Sequence, residues 1–119
     1  MLIRLTGRRT QRVYTIPVRY LKNGDAVWAF TSLETTWWKN LRGGATVTLR
    51  IGGEERPYRA EAIADAPDEI RSALGPFLAQ FPQDVPYYDI SLGPDRRVSQ
   101  SDLEKAASRT VWIRAYPQH

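Results

Sequence analysis

The segment Gly7-Arg8-Arg9-Thr10-Gln11-Arg12 sets three arginines within five residues beside a glycine. Glycine lets backbone amides turn inward and arginine presents a planar fork of donors, so this pattern suits an anion. An arginine-rich hairpin tip held in solvent has the same local sequence. Phe30-Thr31-Ser32 is a second candidate, because hydroxyls at a strand end can bond phosphate, although they also cap the following turn. The third is Trp37-Trp38-Lys39-Asn40-Leu41-Arg42-Gly43-Gly44. Adjacent tryptophans on a helix lie about 100° apart, so one packs inward and the other meets a ligand, a partner or solvent. Asn40 suits either a ring carbonyl or a turn cap. Tyr87 and Tyr88 follow a proline; a tyrosine hydroxyl can donate a proton to a reduced substrate, and two such rings can equally anchor a loop. Of the two, Tyr88 is the candidate for a catalytic group.

Other chemistries are missing from the sequence. The 119 residues include no cysteine and a single histidine, His119. Thiolate metal sites, cysteine nucleophiles, imidazole zinc clusters and an interior Ser-His-Asp triad are therefore excluded, and no metal site is expected. No GxxxxGK[ST] phosphate loop is present. An enzyme with this composition needs a bound group to supply the reactive atoms.

The net charge is +4, and 14 of the 17 basic residues are arginine. A basic small barrel with exposed aromatics also suits single-stranded nucleic acid. The 13 acidic residues are spread along the chain and leave no long basic run, so no nucleic-acid partner is expected. The first 12 residues carry four arginines and no apolar core of a secretory signal. No apolar stretch approaches the ~20 residues of a membrane helix. These features lead to the expectation of a cytoplasmic protein with no membrane span.

Length and composition fit one domain over residues 1–119. Met1–Leu5 alternates weakly, and Val13–Leu21 is rich in β-branched and aromatic residues, interrupted by Pro17. Asn23-Gly24 predicts a type I′ turn that joins Val13–Leu21 to a strand over Ala26–Thr31. Thr35 or Thr36 is placed to cap a short helix over Trp37–Leu41. Ala45–Ile51 alternates cleanly, Gly52-Gly53 turns the chain, and Arg56–Ala64 returns. Pro67, Asp68 and Glu69 open a helix with an apolar face at Ile70, Leu74, Phe77, Leu78 and Phe81, which Gly75-Pro76 should kink or divide. Asp84–Val98 reads as irregular. Ser101 and Glu104 have capping-box spacing for a short helix, and Thr110–Tyr116 is a closing strand. The crossover helices of a parallel sheet are missing. The expected fold is mainly β with peripheral helices, a small barrel of five or six mainly antiparallel strands.

Leu5-Thr6-Gly7-Arg8-Arg9-Thr10, then Arg12 and Thr15-Ile16-Pro17-Val18, resembles the "TGR(R/K)SG…R…(T/V)xP(L/V)" opening of the deazaflavin (F420)-dependent nitroreductase family. That family lies within the FMN- and F420-binding split barrels that include pyridoxamine-phosphate oxidase. Trp38-Lys39-Asn40-Leu41, a glycine pair and a Val-Thr-Leu strand are similar to its "WxxNL…PxVTV" block. The match runs from about Leu5 to Ala64. Gln11 departs from it, standing where the opening motif has glycine.

The resemblance implies a split β-barrel of about six antiparallel strands, and an oxidoreductase that passes a hydride between F420, or alternatively FMN, and a quinone- or nitro-type acceptor. A non-catalytic cofactor-binding protein of the same fold is the other implied reading. Arg8, Arg9, Thr10 and Arg12 would serve the anionic tail, and Thr15, Pro17 and Val18 would lie along the cofactor. Phe30, Thr31 and Ser32 would approach its phosphate or ring, with Trp38 and Asn40 bordering the pocket. Relatives commonly dimerise, so a homodimer is a further expectation.

Overall fold

A computed structural model describes residues 1–88, 90 and 98–118. Among the described residues seven antiparallel strands form one sheet: β1 (Leu2–Thr6), β2 (Val13–Pro17), β3 (Leu21–Asn23), β4 (Ala26–Ser32), β5 (Ala45–Ile51), β6 (Glu54–Ile63) and β7 (Thr110–Pro117). A 3₁₀ turn spans Trp37–Leu41 and a second spans Pro82–Tyr88. Among the described residues the α-helices are α1 (Pro67–Gln80) and α2 (Gln100–Ala107).

The spatial order is β2-β1-β5-β6-β7-β4-β3. Its two edge strands, β2 and β3, are consecutive in sequence and separated only by Val18, Arg19 and Tyr20. A flat sheet of seven strands would hold its edges ~29 Å apart at ~4.8 Å per gap. The four Cα steps from Pro17 to Leu21 reach at most ~14 Å. The sheet must therefore curl until its edges approach, which makes a barrel with a seam at residues 18–20.

This arrangement divides the expected Val13–Leu21 strand in two and raises the strand number to seven. Residues 13–17 pair with β1, from Leu2↔Pro17 to Thr6↔Val13. Residues 21–23 pair with β4 at the opposite edge. Pro17 sits at the break, where its missing N–H costs no ladder bond. The β3–β4 turn also differs from expectation. Asn23 pairs with Ala26, so Gly24-Asp25 form the turn, and Gly24 alone has positive φ (60°). Glycine first with a single positive φ is the type II′ pattern. Gly52 (59°) and Gly53 (84°) are both left-handed between Ile51 and Glu54, as a type I′ hairpin requires.

Strands β4 and β7 are covered on both faces. Val27, Ala29, Val111, Ile113 and Ala115 point into the barrel with Ile3, Leu49 and Trp38. Phe30 and Trp112 point outward to Ile70, Leu74, Phe77 and Leu103 of the helices. Helix α1 runs unbroken through Pro76, which lies exposed. The Ser72 carbonyl that Pro76 deprives of its i+4 donor thus faces the solvent side, where water can replace the bond. Helix α2 is capped by Ser99 rather than Ser101: Ser99 Oγ accepts from the Asp102 amide at 3.1 Å. Within the expected irregular stretch 84–98, residues up to Tyr88 belong to the second 3₁₀ turn, and residues 89 and 91–97 lie outside the described set. Among the described residues no helix is long and apolar enough to cross a membrane.

Candidate functional site

The barrel seam opens onto a cavity of about 960 Å³, at the upper end of the volumes that hold cofactors and drug-sized ligands. One wall is the end of β2 and the closing link, Ile16 through Arg19; the opposite wall is Phe30–Glu34 with Trp37. Phe77 of α1 also lines it, and Asp84, Tyr87 and Tyr88 border the cavity from the second 3₁₀ turn. Arg109 and Thr110 line it from the start of β7.

Phe30, Phe77 and Phe81 form a chain of ring contacts, with centroids 4.8 Å and 5.1 Å apart. The Arg19 guanidinium covers Phe81 at 4.9 Å, and its Nε meets Asp84 Oδ2 at 2.5 Å. The Asp84 side chain is only 14% exposed. That ion pair ties the barrel-closing link to the turn that carries the tyrosines. Tyr88, beside it, has its hydroxyl pKa pushed from 10.0 up to about 12, first by burial and second by the Asp84 charge. It therefore holds its proton at Oη throughout the physiological range. Tyr87, by contrast, is 85% exposed at the cavity mouth.

Thr31 and Ser32 line the cavity and also fasten the turn after β4. Thr31 Oγ1 lies 2.9 Å from Thr35 Oγ1, which donates to the Ser32 carbonyl at 2.8 Å. Ser32 Oγ accepts from the Glu34 amide at 3.2 Å. The expected side-chain cap from Thr36 is absent, and Thr35 turns back to Ser32 instead.

The tryptophan pair divides its work between core and cavity. Trp38 is buried in the barrel interior with Arg42 stacked on it at 4.7 Å, while half-buried Trp37 lines the cavity. Asn40 holds neighbouring backbone: its Oδ1 accepts from the Arg8 amide at 2.9 Å, and its Nδ2 donates to the Trp37 carbonyl at 3.0 Å. The Arg8 guanidinium donates to the Arg42 carbonyl. The loop between β1 and β2 is thereby docked on the first 3₁₀ turn.

That loop closes through Gly7 N–H to Arg12 O at 2.8 Å and Gln11 N–H to Gly7 O at 3.0 Å. Gln11 takes φ 58°, the left-handed region that favours glycine. A Cβ on Gly7 would stand 2.9 Å from the Tyr14 ring. Arg8, Arg9, Thr10 and Arg12 are all exposed.

Of the residues singled out in the sequence, Pro17, Val18, Phe30, Thr31, Ser32 and Tyr88 meet at the cavity. Arg8, Arg9, Thr10 and Arg12 form a separate cationic loop joined to it through Asn40 and the Trp37 turn. Thr15 is exposed on β2 and does not line the cavity, and Trp38 is core. Sequence reasoning missed Arg19, Asp84 and Arg109. The partners Arg19 and Asp84 are 65 positions apart, and no local pattern announces such a pair.

A curled antiparallel sheet with helices on one face and a ligand-sized cavity at its seam defines a split β-barrel. The chain belongs to the F420H(2)-dependent quinone reductase family, whose model matches residues 1–89. It is also similar in fold to a solved FAD and heme binding protein from Mycobacterium smegmatis, with a TM-score of 0.52 and 19% identity. That alignment covers 98% of this chain and 60% of the other, so the chain spans less than two thirds of that relative's length. No match was found among curated proteins.

Proposed function

We propose that this chain binds F420 at the barrel seam and serves as an F420-dependent reductase of quinone-type acceptors. The observation that carries this reading is a large, partly apolar cavity beside a loop of unneutralised arginines. Ile16, Val18, Phe30, Trp37 and Phe77 supply apolar walls for a flat ring system, and Thr31, Ser32 and Thr110 supply polar groups at its edge. Among the described residues no carboxylate pairs with Arg8, Arg9 or Arg12, which leaves their donors to an anionic tail. The residues present therefore fit a deazaflavin with its tail.

When bound in its reduced form, F420 supplies a hydride to an organic acceptor. The protein's part is to bind, orient and exclude water. The aromatic walls keep the ring edge dry. Arg19 and Asp84 hold the second 3₁₀ turn against the seam, so that Tyr88 stays at the cavity. Tyr88 Oη, protonated at neutral pH, is a donor for an acceptor oxygen that gains electron density. Quinones fit this donor better than nitro compounds, because each carbonyl oxygen becomes a hydroxyl on reduction. FMN is the competing cofactor and needs the same anion loop for its phosphate.

The test is steady-state oxidation of reduced F420 by purified protein, with a naphthoquinone and a nitroaromatic as alternative acceptors. Turnover with the quinone, reduced severalfold by Tyr88→Phe, supports the proposal. Binding of F420 with no turnover of either acceptor would reassign the chain as a cofactor-binding protein.

A further inference from the structure

The chain holds two asparagines, Asn23 and Asn40, and their surroundings are opposite. Asn40 is half-buried, is followed by leucine, and has both side-chain atoms engaged, Oδ1 by the Arg8 amide and Nδ2 by the Trp37 carbonyl. Asn23 is exposed at the tip of the β3–β4 hairpin, and among the described residues its side-chain amide has no hydrogen-bond partner. The next residue is Gly24, at φ 60°, with open space where a side chain would lie. Glycine has no Cβ to shield its own amide nitrogen, and an exposed loop tip reorients at little cost.

We infer that Asn23 is a site of spontaneous deamidation in the folded protein. The Gly24 backbone nitrogen gives up its proton and attacks Asn23 Cγ, closing a five-membered succinimide. The Cγ–Nδ2 bond breaks and ammonia leaves with a proton. Water then opens the ring at either carbonyl, which leaves aspartate or, in the larger share, isoaspartate at position 23. One water is consumed and one ammonia released, with no change of oxidation state.

The position gives this modification a structural effect. Asn23↔Ala26 is the last of three pairs that hold β3 to β4, and among the described residues the other edge of β3 has no ladder partner. Isoaspartate routes the main chain through its side-chain carbons and adds a methylene where the two-residue turn needs positions 23 and 26 to face each other. It also sets a carboxylate two positions from that of Asp25. The hairpin end loosens while the interior stays packed, since Asn23 belongs to neither hydrophobic cluster.

The experiment ages the purified full chain at mildly alkaline pH, in native buffer and in parallel in urea. Peptide mass mapping follows the gain of about 1 Da at each asparagine, and an isoaspartyl methyltransferase with labelled S-adenosylmethionine reports isoaspartate. In the folded protein Asn23 should convert at least tenfold faster than Asn40, with the methyl label in the peptide that carries position 23. The aged fraction should unfold about 4 °C below fresh protein, and Asn23→Asp, with the new charge on an ordinary backbone, should lose less. Asn23→Ser should take up no label at this peptide and keep its midpoint on ageing. Conversion of Asn23 in urea but not in native buffer would overturn the proposal, because the folded turn would then protect the amide. So would equal rates at Asn23 and Asn40. An aged fraction that unfolds together with fresh protein would overturn the effect assigned to the hairpin.

Discussion

Arg19 and Asp84 meet at 2.5 Å across the barrel seam, and the pair is lopsided: the aspartate side chain is 14% exposed and the arginine 44%. Removing the arginine strands a mostly buried carboxylate, whereas Asp84→Asn leaves a partly solvated guanidinium still resting on Phe81. Arg19→Ala should therefore destabilise the protein by about 2 kcal/mol and Asp84→Asn by roughly half of that. Urea unfolding of both variants measures the asymmetry. Equal costs, or a larger one for Asp84→Asn, would show that the carboxylate is better hydrated than its burial indicates.

Tyr88 gives a pH signature on the alkaline side. Its folded pKa, about 12, lies above the ordinary 10.0, so the native state holds the proton more tightly than the unfolded chain does. The associated stability is fully present below pH 10 and is lost as pH rises through about 12. The loss is of order 2 kcal/mol. Tyr88→Phe should flatten this limb, and the difference between its tyrosinate absorbance titration and that of wild type should reveal a single late-titrating phenol. A normal midpoint near 10 for that phenol would contradict the buried placement.

Asn40 is the joint between the cationic loop and the turn that places Trp37. Asn40→Ala removes the acceptor of the Arg8 amide and the donor to the Trp37 carbonyl. A cost of about 1 kcal/mol is expected, together with a five- to tenfold loss of affinity for F420. A stability loss with unchanged affinity would mean that the loop does not need to be docked to bind.

Much of the scaffold follows from local chemistry in the sequence, and the exceptions have physical reasons. The alternation of Ala45–Ile51 and the glycine pair at 52–53 specify a hairpin because pleat and turn are both local. Val13–Leu21 has uniform β propensity, yet which edge each half joins depends on closure of the whole sheet. Ser99 and Ser101 are both reasonable caps, and the choice rests on where the chain enters α2. The arginine loop and the end of β4 stand out in the sequence because their residue types are unusual; the structure brings the end of β4 to the cavity, while the arginines are exposed and do not line it. The assignment of Trp37 to the cavity and Trp38 to the core was not, since helical spacing says that the two diverge without saying which turns inward.

Gln11 holds a left-handed conformation, with φ 58°, where the resembled motif carries glycine. Gln11→Gly should leave stability unchanged or raise it by up to ~1 kcal/mol, relief of strain being partly offset by chain entropy. Gln11→Val should cost about 1–2 kcal/mol, because a β-branched residue resists this region. Thermal unfolding of the two variants decides the matter. A stabilising valine would contradict the loop geometry.

The central claim is that the seam and its arginine loop form one cofactor site. Equilibrium titration of wild type and an Arg8→Ala/Arg12→Ala variant with F420, and in parallel with FMN, tests it most directly. The account predicts saturable one-to-one binding of F420 at micromolar concentration or tighter, weakened at least tenfold in the variant. Absence of F420 binding by the folded wild type, or equal affinity in wild type and variant, would contradict it.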